Sequence, residues 1–196
     1  FETVGSAVPV WPGTRPYQAH LAFQWSLHVE PRPGLIEHHD FLDLSGDDPQ
    51  RALAEALIER LGNRGPVFVY SAFERSVLKH IASVHPDLQP ELDGVIERLE
   101  DLLPLLRAHY YHPAMKGSWS IKAVLPTLAP GLNYADLTEI QDGSDAQAAY
   151  LEAITRDPAS TRFVSLERHL RRYCEMDTLA LVKLVHFFQG ESSPAE

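Results

Sequence analysis

The sequence predicts an α/β domain with a mixed five-stranded sheet, in which three antiparallel strands come first, parallel strands follow, and helices cover both faces. Residues 20–30 alternate apolar and polar side chains with a period of two, which is typical of a strand. A strand–helix–strand order in the middle of the chain indicates parallel pairing through a right-handed crossover. Residues 143–188 change to the spacing of three and four residues that is typical of helices.

Composition limits the class of protein. With 196 residues, of which 44% are hydrophobic, the chain can bury one core, so we expect one domain over residues 1–190 and a disordered tail over residues 191–196. No run of 18 apolar residues occurs, so no transmembrane helix is expected. Cys174 is the only cysteine, which excludes a disulfide framework and a thiolate zinc site and fits a reducing, cytoplasmic location.

The charge of the chain bears on its partners. A formal net charge of −10 argues against indiscriminate binding to nucleic acid, because such binding requires a basic surface. It does not exclude a nuclease, since an active site made of carboxylates is itself acidic until a metal ion binds.

Three strands with short connections open the chain and predict an antiparallel meander. The first covers residues 1–4, and a loop rich in proline and glycine follows it. The second covers residues 20–30. The third runs over residues 35–41, after a turn at residues 31–34.

A helix, a strand and a second helix come next. Asp48 and Pro49 mark the start of the first helix, and Gly62 marks its end. The apolar run Val67–Tyr70 predicts a strand that is covered on both faces. Residues 71–74 open the second helix.

The rest of the chain is predicted to be mainly helical. Residues 91–106 read as helix, although a short strand at residues 99–102 fits the pattern equally well. Residues 109–120 form an irregular stretch rich in aromatic side chains, and a short helix follows. Residues 143–155 and 163–188 are the last two predicted helices.

The last helix carries a carboxylate in the middle of an apolar stripe. Ionised Asp on a buried face is unfavourable unless a cation or several hydrogen-bond donors meet it. A cation site and a structural role, in which Asp177 caps a neighbouring backbone segment, are both open at this point. The residues on this face, at helical spacing, are Leu170, Tyr173, Cys174, Asp177, Leu181, Leu184 and Phe188.

Two more carboxylates are expected at the same edge of the sheet. Glu2 lies on the first strand, and Glu74 lies in the first turn after the fourth strand. Ligands gather at such strand ends and helix N-termini, and clusters of oxygen ligands suit Mg²⁺ or Mn²⁺. Two such ions can activate water and stabilise both oxygens of a phosphoryl displacement.

Each of these acids also has a structural interpretation. Glu2 fits a solvated strand residue. Ser71 and Glu74 match a capping box, in which Glu74 accepts from the Ser71 N–H, and this role is only partly exclusive of metal binding. For Asp101, a fourth carboxylate, we favour a structural role.

Three further residues are weaker candidates for contact with a nucleic-acid substrate. Trp119 and Lys122 follow an aromatic and cationic stretch that fits either a stacking surface for single strands or a partly buried loop. Arg172 flanks Tyr173 and fits either a phosphate contact or a solvated helix face.

Three short motifs resemble those of the DEDD-type 3′–5′ exonucleases, which have an RNase H-like fold. They are Phe1–Thr3 on the first strand, Tyr70–Glu74 after the fourth strand and Tyr173–Asp177 on the last helix. Because the third motif begins with a tyrosine, it resembles the motif of the DEDDy branch of these enzymes.

A narrower resemblance is to the bacterial uncharacterised family DUF2779. Its matching pieces are spread over most of the chain. They are Phe1–Thr3, Pro12–Gln18, Phe23–His28, Gly117–Pro126 and Tyr173–Thr178.

The resemblance to the exonucleases implies a role for each motif residue. Glu2 corresponds to the second acid of the first motif, and Asp177 to the last metal ligand. Glu74 stands where the second motif has an aspartate. Tyr173 corresponds to the residue that orients the attacking water, and two divalent cations, Mg²⁺ or Mn²⁺, are the implied cofactors.

The resemblance also implies a residue and a domain that this sequence does not contain. The first aspartate of the first motif would immediately precede Phe1. Such domains often follow a second nuclease-like domain, so we expect the sequence to be a piece of a longer protein.

We therefore expect a metal-dependent 3′–5′ exonuclease that hydrolyses terminal phosphodiesters of single-stranded DNA or RNA. The alternative is a catalytically degenerate module that binds nucleic acid or docks onto a neighbouring nuclease domain. An endonuclease would use the same residues.

Overall fold

The computed structural model describes residues 1–190 except 12, 13, 15, 17, 130, 133, 135, 136 and 138, and these residues form five strands and seven α-helices. In chain order they are β1 (Glu2–Ser6), β2 (Gln18–Arg32), β3 (Leu35–Leu42), α1 (Gln50–Leu61), β4 (Val67–Val69), α2 (Phe73–Val84), α3 (Gln89–Glu97), β5 (Leu99–Asp101), α4 (Leu102–His109), α5 (Ile121–Leu128), α6 (Gly143–Ala153) and α7 (Thr161–Phe188). The predicted tail at residues 191–196 lies outside the described residues.

The predicted antiparallel meander is confirmed. Strands β1, β2 and β3 form one sheet in that order, with Glu2 opposite Gln24 and Trp25 opposite Phe41. The sequence signal was strong here because β2 is long and its alternation is bounded by turn residues.

The single five-stranded sheet is not what the structure contains. Strands β4 and β5 pair with each other in parallel and form a separate two-stranded sheet. The parallel pairing and the short strand at residues 99–101 agree with the sequence, but each strand has only three residues and makes few ladder bonds. Phe68 of β4 is 40% exposed, so the prediction that this strand is covered on both faces is wrong.

Helices cover both faces of the three-stranded sheet. Consecutive residues of a strand point to opposite faces. The Gln24 side chain donates to the Leu170 carbonyl of α7 at 2.9 Å, and the Trp25 indole donates to the Leu53 carbonyl of α1 at 3.0 Å. Helix α7 therefore lies on one face of β2 and α1 on the other. On the polar face of β2, Gln24 and Ser26 are buried, whereas Glu30 is exposed.

Two main clusters of buried apolar side chains lie on either side of this sheet. One joins β1 and β2 to α6 and α7, where the rings of Phe23 and Tyr150 stack with centroids 4.0 Å apart. The other joins β2 and β4 to helices α1, α2 and α3. Burying one such large side chain contributes roughly 1.5–3 kcal/mol to the free energy of unfolding. The two clusters therefore hold β1, α2 and α7 in their positions.

Among the described residues, no helix is both long enough and apolar enough to cross a membrane.

Candidate functional site

The three acids that the sequence singled out lie close enough to perturb one another. Glu2 is on β1, Glu74 is in the first turn of α2 and Asp177 is in the middle of α7. The charge of Asp177 raises the pKa of Glu2 and that of Glu74, and the charge of Glu74 raises the pKa of Glu2. Carboxylates couple in this way only over short distances, so the fold gathers these three from distant parts of the chain.

Glu2 is almost fully buried, with 8% of its surface exposed. Burial raises its pKa from 4.5 to about 7, the charges of Asp177 and Glu74 act in the same direction, and the charge of Lys122 acts against it. The solvated alternative for Glu2 is therefore wrong. A buried strand acid with a raised pKa, facing other acids, is typical of a functional site.

Glu74 points inward and does not form the capping box. The Ser71 N–H donates instead to the Asp101 carboxylate at 2.9 Å, and α2 has no side-chain cap. The Glu74 Oε2 atom is buried without a hydrogen-bond partner among the described residues. Burial raises the pKa of Glu74, and the charges of Asp101 and Asp177 add to the rise.

Asp177 accepts a hydrogen bond from a tyrosine that the sequence did not single out. The Tyr134 hydroxyl donates to the Asp177 carboxylate at 2.6 Å. Burial raises the pKa of Asp177, although this hydrogen bond and the charge of Lys122 oppose the rise. Burial, together with the charge of Asp177, raises the pKa of Tyr134 well above its usual value, so the phenol stays a donor at neutral pH.

Tyr173 and Lys122 form the other side of the site. The Lys122 ammonium donates to the Tyr173 hydroxyl at 2.9 Å and to the Gln141 carbonyl at 2.5 Å. It lies 4.7 Å from the ring centroid of Tyr173 and 5.6 Å from that of Tyr134. Burial and the negative charges of Asp177 and Glu2 raise the pKa of Tyr173 well above its usual value, so this phenol is also neutral near pH 7.

Cys174 is buried, and burial raises the pKa of its thiol, as fits the small core residue that the sequence predicted.

The three acids have the type of ligand atom that a hard cation binds. All three acids supply oxygen, and the Glu74 oxygen without a partner is free to bind an ion. No group of three or more His, Cys, Asp or Glu side chains in the described part of the chain is arranged as a ligand set for a metal ion. The chemistry of the three acids therefore suits a hard cation, whereas their arrangement among the described residues does not form a ligand set.

Asp101 has the structural role that the sequence favoured. Its Oδ1 atom accepts from the Ser71 N–H and from the Leu103 N–H, both at 2.9 Å, and so caps α4. Ser71 has a φ of +92°, in the region that disfavours residues other than glycine. Asp101 therefore holds the strained turn that leads to Glu74.

We expect Asp101→Ala to lower the free energy of unfolding by about 1–2 kcal/mol, because a helix cap and a contact to a strained turn are both lost. Urea unfolding followed by circular dichroism measures this change. Asp47→Ala, at an exposed loop residue, is the matched control. Equal urea midpoints of unfolding for the two variants would contradict the capping role of Asp101.

Of the three weaker candidates for substrate contact, only Lys122 lies near the three acids. Trp119 is half-buried in a separate cluster with Tyr70, whose hydroxyl donates to the Trp119 carbonyl at 2.5 Å. Arg172 is exposed and pairs with Glu175 at 2.9 Å on the surface of α7. Neither has a contact to the three acids within the described residues.

A second polar cluster fixes α7 next to Asp177. The Thr178 hydroxyl bonds to the Ser26 hydroxyl and to His28 Nδ1, both at 2.8 Å, and Ser26 also bonds to His38 Nε2 at 2.9 Å. Burial and the neighbouring His38 lower the pKa of His28 to about 4. These contacts tie β2 and β3 to α7 and so help to set the position of Asp177.

Comparison with known proteins agrees with the narrower resemblance. Residues 1–120 match the profile of DUF2779, a domain of unknown function. The matched part contains Glu2 and Glu74, whereas Lys122, Tyr173 and Asp177 lie beyond it. No curated protein and no solved structure matches the chain. Because the matched part is more than half of the 196 residues, the chain belongs to the DUF2779 family.

Proposed function

We propose that this domain is a metal-dependent nuclease of the DEDDy exonuclease type, with an RNase H-like arrangement of its strands and α7. The observation that carries the proposal is the convergence of Glu2, Glu74 and Asp177, from three separate elements, beside the Tyr173 hydroxyl. The order of an antiparallel meander followed by a parallel strand pair supports the fold assignment.

Each site residue has the role that the resemblance to these exonucleases implies. A divalent cation, Mg²⁺ or Mn²⁺, would supply Lewis-acid chemistry when bound by the three carboxylates, and the resemblance implies two such ions. Tyr173 is neutral near pH 7, so its hydroxyl can donate a hydrogen bond and orient a water for attack on phosphorus. Tyr134 holds the Asp177 carboxylate in a fixed orientation.

The charge of the domain favours a small contact with nucleic acid. A protein with a net charge of −10 gains little from long-range attraction to a phosphate backbone. A terminal nucleotide bound at one site needs only a few phosphate contacts. A 3′ end of single-stranded DNA or RNA is therefore the proposed substrate.

Oligonucleotides labelled at the 5′ end test this function. We expect single-stranded DNA or RNA to shorten stepwise from the 3′ end with Mn²⁺ or Mg²⁺, and to stay intact with EDTA. The assay is run on the chain and on an extended chain with one aspartate added before Phe1. This addition supplies the acid that the resemblance implies and turns the α-ammonium into a neutral amide. Intact substrate with both proteins would contradict the proposal.

The second candidate is a degenerate module that binds nucleic acid or docks onto a nuclease domain without cutting. The lack of a ready ligand set among the described residues favours it, as does a glutamate at position 74 in place of an aspartate. Retention of single-stranded DNA or RNA on a filter, without cleavage and without Mn²⁺ binding, would support this function instead.

A further inference from the structure

We propose that the stretch from Arg107 to Trp119 is a binding surface for a single strand of nucleic acid, on which the Tyr111 ring stacks against a base and the nearby cations contact phosphates. The inference deepens the proposed function and rests on it for the class of ligand. It adds a surface outside the three acids, and binding there requires no metal ion.

The charge of this part of the chain differs from that of the rest. Residues 102–135 contain Arg107, Lys116 and Lys122 but no aspartate or glutamate, although the whole chain has a formal net charge of −10. Arg107 and Lys116 are exposed to solvent. The acidic chain therefore presents a local cationic surface, which is the electrostatic feature that contact with phosphates requires.

An exposed aromatic ring lies on this surface. Tyr111 is 62% exposed, and its ring centroid lies 6.5 Å from that of the half-buried Trp119. Stacking of a base on an aromatic side chain is favourable and tolerates any base sequence, because every base has a π-face. The Tyr111 ring is available for such stacking, with Trp119 beside it.

The backbone that carries Tyr111 is anchored on both sides. Before it, the Tyr110 hydroxyl donates to the Thr127 hydroxyl at 2.9 Å. After it, Met115 is buried in a cluster with side chains of α4, α5 and α7. Tyr111 is thus exposed although its neighbours are packed, so little ordering of the chain is needed when a base binds.

Arg107 lies in the same region of the surface. The Tyr70 hydroxyl donates to the Trp119 carbonyl at 2.5 Å. Burial raises the pKa of Tyr70 to about 12, and the positive charge of Arg107 opposes the rise, so Arg107 is close enough to act on this hydroxyl. The bond and the charge connect Arg107 with the Tyr111–Trp119 pair of rings.

A docking site for a protein is the competing explanation. The core of a protein–protein interface is depleted in charged side chains. This stretch instead combines exposed cations with aromatic side chains and contains no acid, as surfaces that bind single strands do. Nucleic acid is therefore the ligand that its composition favours.

Fluorescence anisotropy in EDTA, with short labelled strands of oligo(dT) and oligo(U), tests the inference. We expect saturable binding, and the ratio of the two affinities distinguishes DNA from RNA. Tyr111→Ala should weaken binding about tenfold, because one stack between a base and an aromatic ring is lost. Tyr111→Trp keeps an aromatic ring, so its affinity should stay within about twofold of the wild type.

The salt dependence of binding tests the contribution of charge. Arg107→Gln should make the slope of log affinity against log salt concentration shallower by about 0.7, which is the value for one phosphate contact in a single strand. Arg60→Gln is the matched control, because Arg60 is also exposed in the last turn of a helix and lies outside residues 102–135. Its slope should equal that of the wild type.

Three results would each overturn the inference: no saturable binding, equal affinities of Tyr111→Ala and wild type, or equal salt slopes of Arg107→Gln and Arg60→Gln. None of them bears on cleavage with Mn²⁺, which would still support the nuclease. Binding in EDTA with these effects, but without cleavage in Mn²⁺ or Mg²⁺, would overturn the nuclease and keep this surface. Far-ultraviolet circular dichroism verifies that the variants fold.

Discussion

Replacing Asp177 by asparagine is expected to reduce metal-dependent hydrolysis about a thousandfold or more. Asparagine has nearly the same size and still accepts from the Tyr134 hydroxyl, so the packing around α7 is kept. It removes the negative charge with which this residue would bind a cation, and metal-assisted catalysis contributes several kcal/mol to such reactions. The initial rate of cleavage of a 5′-labelled single strand measures the loss.

Glu167→Gln is the matched control for this prediction. Glu167 lies on the same helix and pairs with Arg171 at 3.0 Å, away from the three acids. We expect its cleavage rate to stay within about twofold of the wild type, since an exposed ion pair contributes little. Equal rates in Asp177→Asn and wild type would contradict the assignment of Asp177.

The second large effect is on stability. In the absence of divalent ions, Glu2→Gln is expected to raise the free energy of unfolding at pH 8 by up to about 3 kcal/mol, because the wild type must bury an ionised glutamate there. Folding raises the pKa of Glu2 from its ordinary value of 4.5 to about 7. Its stabilising contribution is therefore complete below pH 4.5 and is lost as the pH rises through about 7.

Urea unfolding between pH 4.5 and pH 8 in EDTA measures this effect. The difference between wild type and Glu2→Gln should be small near pH 4.5 and should grow up to about pH 8. Glu100→Gln, at an exposed residue of β5, is the control and should show no such growth. A difference that does not depend on pH would mean that Glu2 is not buried as described.

The sequence predicted the antiparallel meander and the long last helix because their signals are local. The alternation in β2 and the three-to-four spacing of α7 can be counted without knowing the neighbours. The separate β4–β5 sheet could not be predicted in this way. Strands of three residues carry little pattern, and the partner of β4 is decided by contacts between residues far apart in the sequence.

The candidate site was predicted in part. Glu2, Glu74 and Asp177 were grouped from their places on a strand, a helix start and a helix face, and the structure brings them together. Tyr134 was missed, because its stretch of sequence has no periodic pattern and its role depends on a single long-range hydrogen bond. The capping box at Glu74 was wrong because Asp101, 30 residues away from Ser71, takes the N–H that the motif would have used.

Glu2, Glu74 and Asp177 are proposed to form one cation site. Calorimetric titration of Mn²⁺ into the extended chain, and into its Asp177→Ala variant, tests this claim most directly. Saturable binding that is lost in the variant is the predicted result. Binding that is equal in the two proteins, or absent from both, would contradict a cation site at these acids.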